Sequence, residues 1–254
     1  MLDSWVDRVN SQGFIANDPI TIPHRFSVKQ DIEIAGFFAA IMAWGSRTTI
    51  INKCSNLLER MDNEPYDFLK NHSNQELKKL EGFVHRTLND TDLLYLIDFL
   101  SRWYDEHNSL ENAFTSNLNA QDATVENGLV GFYNHVFSAS YAPKRTQKHI
   151  ATPAKKSACK RLNMYLRWMV RSDNRNVDFG IWKNIKTSQL ICPLDVHVHR
   201  VALGLGIMNR KQPDWLAAIE LTEQLSRFDP EDPVKYDFAL FGMGVSGEQI
   251  PTTL

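Results

Sequence analysis

Two short segments carry residue types that chemistry uses. The first, Lys155-Lys156-Ser157-Ala158-Cys159-Lys160-Arg161, opens a helical pattern with four cations. The positive end of a helix dipole disfavours each cation in the first turn by about 0.3–1 kcal/mol, so a crowd of them calls for an anion or for full solvation. A phosphate backbone is such an anion, and an amine whose charge is disfavoured, Lys160 here, is the kind that serves as a nucleophile. The competing use is a solvated basic face. The second segment, Pro193-Leu194-Asp195-Val196-His197-Val198-His199-Arg200-Val201, sets Asp195 after an extended lead-in and before an apolar-periodic run. An Asp so placed is first of all an N-cap, accepting from the amides of the next turn. A carboxylate held that way can also stabilise a positively charged, sugar-like transition state. His197 and His199, beside Asp195 and Cys192, invite a metal, because HxH with a carboxylate chelates zinc or iron. Two positions on a helix lie about 200° apart, so the rings diverge, and structural, hydrogen-bonded histidines are the expectation, with no metal.

The elements that must position these groups are helical. Apolar periodicity predicts helices over 27–44 and 46–61, separated by Gly45 and followed by the turn Asp62-Asn63-Glu64-Pro65. Further helices are expected over 91–104, 125–137, 196–205 and 215–228, with Gly206 stopping the one over 196–205. A last helix follows Asp229-Pro230-Glu231-Asp232-Pro233 and ends in Phe241-Gly242-Met243-Gly244. Sustained period-two runs of β-branched residues are missing, so little or no sheet is expected. Residues 143–156 read as a basic, proline-punctuated connector between two helical lobes. The helix after it is expected over 157–171. At 100° per residue it gathers Leu162, Tyr165, Leu166 and Met169 on one side and Lys160, Asn163, Arg167 and Arg171 on the other, which predicts the second group facing away from the core. Asp178 reads as the cap of a further short helix.

Composition sets the outer limits. A chain of 254 residues, 43% hydrophobic, can bury a sizeable core. The longest nearly uncharged apolar stretch, Ile34 to Trp44, is about half of the roughly 20 residues that span a bilayer, and the start MLDSWVDRVN lacks the pattern of a secretory signal. A cytoplasmic protein with no membrane partner is expected. Cys54, Cys159 and Cys192 lack CxxC spacing, which predicts reduced thiols rather than a disulfide framework or a cluster. Net charge is −2, yet residues 142–171 hold nine Lys and Arg and no acid, so the rest of the chain carries −11. This places any anion site locally.

Taken together, Lys160-Arg161-Leu162-Asn163-Met164-Tyr165-Leu166 resembles the KxxNxxL helix of the helix-hairpin-helix (HhH-GPD) base-excision DNA glycosylases, whose lysine is the nucleophile. Asp195-Val196-His197-Val198-His199-Arg200-Val201 is similar to that family's DxHVxRV segment, whose aspartate is catalytic. Ala43-Trp44-Gly45-Ser46-Arg47-Thr48-Thr49 resembles its early DNA-facing turn, and Phe238-Ala239-Leu240-Phe241-Gly242-Met243-Gly244 its closing helix. At whole-chain level the sequence is also similar to a bacterial family without assigned chemistry that carries IPHRFS, DIEIAGFFAAI, SACKRLNMYLRWMVR and DPEDPVKYDFALFG and stands beside the glycosylases. Two departures stand out. The family's glycine-rich hairpin, LPGVGxxTA, is replaced by Thr152-Pro153-Ala154-Lys155-Lys156-Ser157-Ala158, without glycine, and the 35-residue step from Lys160 to Asp195 is closer to the archaeal 8-oxoguanine branch than to endonuclease III. The four-cysteine cluster loop is absent, as in that branch, so no cofactor is implied.

The resemblance implies an all-α, two-lobed glycosylase-like unit over 1–254, with approximate lobes 1–50 plus 207–254 and 51–206, and a cleft between them. It implies double-stranded DNA as partner and removal of a damaged base, an oxidised purine being the nearest match, by flipping it from the stack. Lys160 and Asp195 would be the catalytic pair, Arg47, Lys155, Lys156 and Arg161 the DNA contacts, and Asn163, His197 and Arg200 the support. Trp44 and Trp168 are offered for stacking on the base, against the commoner use of large aromatics in cores. The alternatives are a non-catalytic DNA binder with a degenerate hairpin, and a metal-dependent hydrolase built on Asp195, His197 and His199.

Overall fold

The computed structural model describes residues 1–119 and 121–247. The stretch 248–254 of the lobe expected to close the chain lies outside them. In chain order the helices are α1 (Leu2–Val9), α2 (Gln12–Ile15), α3 (Lys29–Ile41), α4 (Arg47–Arg60), α5 (Pro65–Asn71) and α6 (Asn74–Leu77). A two-stranded antiparallel hairpin, β1 (Val84–His85) and β2 (Leu88–Asn89), interrupts them. Then come α7 (Asp90–Glu106), α8 (Glu111–Thr115), α9 (Glu126–Val136), α10 (Lys160–Val170), α11 (Val196–Gly204), α12 (Trp215–Leu225) and α13 (Tyr236–Ser246). The protein is mostly helical, as the periodicity predicts, and among the described residues no helix is long and apolar enough to cross a membrane.

Local chemistry explains the ends. Asn89 and Asp92 form a reciprocal capping box at the start of α7, and the side chains of Asp195 and Asp214 accept from backbone amides of the first turns of α11 and α12. Gly206 takes φ +67° just past α11, which lets the amide of Ile207 close on the carbonyl of Ala202 at 3.0 Å. Two expected helices are shorter than their apolar patterns. Helix α3 ends at Ile41 because the chain turns at Gly45, φ +108°, and α10 starts at Lys160 because Cys159 before it is left-handed, φ 51°. The small hairpin is too short to show a period-two pattern.

Helix α3 runs through the core, with every residue from Ile32 to Ile41 buried. Its one buried acid, Glu33, is fully enclosed and accepts from Tyr104 Oη at 2.7 Å, Ser109 Oγ at 2.5 Å, the Leu110 amide at 3.0 Å and Trp182 Nε1 at 2.6 Å. The carbonyl of the same residue accepts from Tyr165 of α10 at 2.8 Å. One carboxylate thus gathers α7, the loop before α8 and the segment after α10 around α3. At the other end of the core, α13 packs on both α1 and α11, and the absence of side chains at Gly242 and Gly244 permits the approach. A Cβ there would stand 2.5 Å from Val9 and 2.8 Å from His197.

The expectation that Lys160, Asn163, Arg167 and Arg171 face away from the core is corrected. Asn163, Arg167 and Arg171 are 1–3% exposed, because α10 is enclosed on its second side by α13 and the 173–182 segment. Arg167 pairs with Asp178 at 3.3 Å and with Asp237 of α13, and Arg171 pairs with Asp178 at 3.1 Å, Asp173 at 2.8 Å and Asp232 at 2.9 Å. Asp178 therefore caps no helix. It sits buried between two guanidiniums that would otherwise be uncompensated charges.

Replacing Glu33 with Gln tests how much the core depends on this hub. The amide supplies one acceptor where four donors converge and turns its own N–H groups toward them, so Glu33→Gln is expected to cost about 2–4 kcal/mol, read as a lower urea midpoint.

Candidate active site

Segments far apart in sequence meet in one cleft of about 590 Å³. Lys160, Arg161 and Met164 come from the first turns of α10, and Leu194 to His197 from the start of α11. Ala43, Trp44 and Gly45 come from the turn between α3 and α4, Arg47 from the start of α4, Phe241 and Val245 from α13, and Asp18 and Pro19 from the N-terminal segment. A smaller chamber of about 40 Å³ opens off it. The two spaces share Asp18, Lys160, Met164, Asp195 and Phe241, while Arg167 and Asp237 line only the chamber.

The two residues singled out for chemistry are therefore neighbours. Asp195 caps α11, its Oδ1 accepting from the amides of His197 at 2.8 Å and Val198 at 2.9 Å, and among the described residues no donor reaches Oδ2. Half-buried Lys160 rests its Nζ 3.4 Å from Met164 Sδ and forms no ion pair among the described residues. Both groups keep reactive atoms directed at shared space.

The expected DNA contacts divide. Arg47 and Arg161 line the cleft, Arg47 with its guanidinium 4.9 Å from the Phe241 ring centre and Arg161 donating to the carbonyl of Ile41 at the end of α3. Lys155 and Lys156 do not line it. Lys155 is held by Tyr133 Oη at 2.5 Å and Gln147 at 3.2 Å, and exposed Lys156 is a left-handed residue, φ 61°, whose carbonyl accepts from the Trp215 amide. The turn into α10 contains no glycine, yet Lys156 and Cys159 take left-handed conformations that glycine adopts without strain.

Of the support residues, Asn163 reaches back to the Ala158 carbonyl at 3.1 Å, while His197 Nδ1 at 3.2 Å and Arg200 at 2.8 Å both hold the carbonyl of Gly244. His199 Nε2 lies 3.0 Å from the carbonyl of Arg210, so the two imidazoles serve different carbonyls. Among the described residues no group of three His, Cys, Asp or Glu side chains is arranged to hold a metal ion. All three cysteines are free and buried, and burial pushes the Cys54 and Cys159 thiols up to about 12, which keeps them from acting as thiolates. Trp168 is enclosed in the core, whereas Trp44 stands half-exposed at the cleft edge with the Arg86 guanidinium 4.9 Å from its ring centre. Past Trp44 the surface continues into a groove of about 290 Å³ lined by Thr87, Lys148, His149 and Arg161.

Two acids in the site went unread in the sequence. Asp18, in Asn17-Asp18-Pro19, has the local signature of a turn, and its Oδ1 does accept from the Ile20 amide at 3.1 Å. Asp237 is a charge inside the apolar run of α13. The signal available for it was the pair Arg167 and Arg171 at the end of α10, which need acids once buried. Burial raises the carboxyl of Asp18 above the ordinary carboxylate range, against the pull of Arg167, Lys160 and Arg47. Burial lifts Asp237 to about 6, with Arg167 and Lys160 opposing and Asp195 and Asp178 adding to the rise.

A carboxyl raised on folding holds a proton that the unfolded chain has lost. Its contribution is complete below about 4 and disappears as pH rises through about 6. Urea unfolding is therefore expected to show a decline on the order of 1–3 kcal/mol between pH 4.5 and 7 that Asp237→Asn flattens, since Asn resembles the protonated acid and still accepts from Arg167.

No curated protein and no solved structure matches the chain. Residues 18–246 match the family described as Protein of unknown function (DUF2400), and the chain belongs to that family.

Proposed function

We propose that the protein is a two-lobed, cytoplasmic DNA N-glycosylase of the helix-hairpin-helix type, with AP-lyase chemistry, acting on a base flipped from duplex DNA. The observation that carries this reading is the convergence of Lys160 and Asp195 in one cleft, Lys160 with no ion pair among the described residues and only the Met164 sulfur beside its Nζ, Asp195 with its Oδ2 unpartnered among them. The resemblance of the segments that bear them to the nucleophile helix and the aspartate segment of that family supports it. So does the cleft's size, about 590 Å³, within the range of small-molecule sites and ample for one base. Arg47, Arg161 and the groove beyond Trp44 provide cations for the phosphates on either side of a flipped nucleotide, and Trp44 a face for stacking. Lys160 attacks C1′ and displaces the base. Asp195, its Oδ1 fixed by two amides, presents Oδ2 to the oxocarbenium-like sugar. The attached lysine then leaves a Schiff base, from which elimination cuts the strand.

Borohydride fixes a Schiff base and so tests the covalent step. Trapping on a duplex with an intact damaged base is expected to vanish in Lys160→Gln and to persist in the Lys155→Gln, Lys156→Gln double variant, whose side chains stand outside the cleft. Undiminished trapping in Lys160→Gln would overturn the nucleophile. Lesion-indifferent DNA binding, with neither base release nor trapping on any duplex, would leave a non-catalytic binder.

Asp195→Asn separates cap from chemistry. Asn caps about as well as Asp, so unfolding should shift by less than about 0.5 kcal/mol while base release is lost. Full release from the folded variant would remove Asp195 from the chemistry.

A further inference from the structure

Breaking a glycosidic bond sends its electron pair to the base, and an anionic base leaves slowly unless a proton meets it. Neither member of the catalytic pair is free to supply that proton. Lys160 must be a neutral amine to attack, and Asp195 must carry its charge to face the sugar. A third group belongs in the site, within reach of both and able to hold a proton near neutrality.

We propose that Asp18 is the proton donor to the departing base, a role that rests on the glycosylase reading of this cleft. Asp18 stands where cleft and chamber join, with Lys160, Asp195, Met164 and Phe241. It is 9% exposed, and among the described residues it forms no ion pair. Its Oδ1 is taken by the Ile20 amide at 3.1 Å, and no partner among the described residues reaches Oδ2. The carboxyl is enclosed and keeps a free oxygen at the neck of the cleft, and burial raises it above the ordinary carboxylate range, the direction a proton donor needs. The charges that face it come from every surrounding element: Lys160 and Arg167 of α10, Arg47 of α4, Asp195 before α11 and Asp237 of α13. The cations oppose proton retention and the two other acids favour it. Asp237 is less suited to the task, because Arg167 holds one of its oxygens and it lines only the chamber behind the neck.

The step balances. The neutral Lys160 amine forms the bond to C1′ as the C1′–N bond breaks, and the released pair on the base takes the Asp18 proton. The base departs neutral, Nζ becomes a secondary ammonium and Asp18 a carboxylate. One proton from that ammonium then returns to Asp18 and resets it.

Asp18→Asn keeps an acceptor for the Ile20 amide and removes the transferable proton. Single-turnover base release would be followed from pH 5 to 9 on duplexes carrying 8-oxoguanine, hypoxanthine or uracil. Borohydride trapping on a preformed abasic duplex, where no base has to leave, would run beside it. The expected result is an unchanged urea midpoint, abasic trapping within about 2-fold, and base release slowed by about 10²–10⁴. The wild-type rate should fall as pH rises past the Asp18 ionisation, and that limb should be missing in the variant. Base release at the wild-type rate with the same pH profile would overturn the assignment while leaving the glycosylase reading intact. Equal loss of release and abasic trapping would overturn it as well, in favour of a structural role. Wild-type protein that releases no base from any duplex would end the glycosylase reading, and the donor role with it.

Discussion

Helix α10 is enclosed on both sides and places two arginines in the interior, Arg167 within it and Arg171 at its C-cap; the neutralisation of those charges is the constraint around which the site is organised. A buried guanidinium without a partner costs several kcal/mol, so Arg167 and Arg171 must draw acids from elsewhere in the chain. They take Asp178 and Asp173 from the segment that follows, Asp232 from the loop before α13, and Asp237 from α13 itself. The consequence is geometric. Pulling α13 onto α10 closes the wall of the chamber, and the packing of α11 on α13 across Gly244 carries Asp195 toward Lys160. Acids outnumber the two guanidiniums, so the region beneath the site holds excess negative potential, in line with the raised Asp237 carboxyl.

The connection into α10 holds left-handed backbone without glycine. Lys156 and Cys159 occupy left-handed conformations that cost a side-chain-bearing residue of order 1 kcal/mol or more. The strain is held by neighbours: the amide of Trp215 on the Lys156 carbonyl, and an antiparallel bridge between Ser157 and Asp214. This docks the turn against the start of α12. Further upstream, Thr146 and His149 fix the basic connector to buried Asp92 of α7. Cations that look free along the sequence are consequently engaged. Arg145 bonds Asn89 and stands 3.3 Å from Asp92, Lys155 bonds Tyr133, and the helix arginines face buried aspartates. The cations that line the cleft are instead Arg47, Lys160 and Arg161, the first and last 114 positions apart in the chain.

Much of the arrangement was legible in the sequence because it is local. Capping is decided within a turn, so Asp195 ahead of an apolar run was readable as a helix start, and Gly206 as its stop. The 3.6-residue period located the main helices and one face of α10, and the residue types around Lys160 and Asp195 marked both segments as carriers of reactive groups. Other assignments had no local mark. Arg167 and Arg171 read as solvent-facing because a helix with one apolar stripe ordinarily has one buried side, and only the arrival of α13 and the 173–182 segment encloses the other. Asp18 has the pattern of an Asp-Pro turn and does cap one, and nothing within ten residues of it reports that its second oxygen opens beside Lys160. Trp44 and Trp168 are equivalent by residue type, yet packing leaves the first at the cleft edge and encloses the second. Hydrogen-bonding and periodic preferences act over a few residues and are written in the order of the chain, whereas burial and the electrostatics of a shared cavity depend on which distant segments meet, and that was decided only by the tertiary fold.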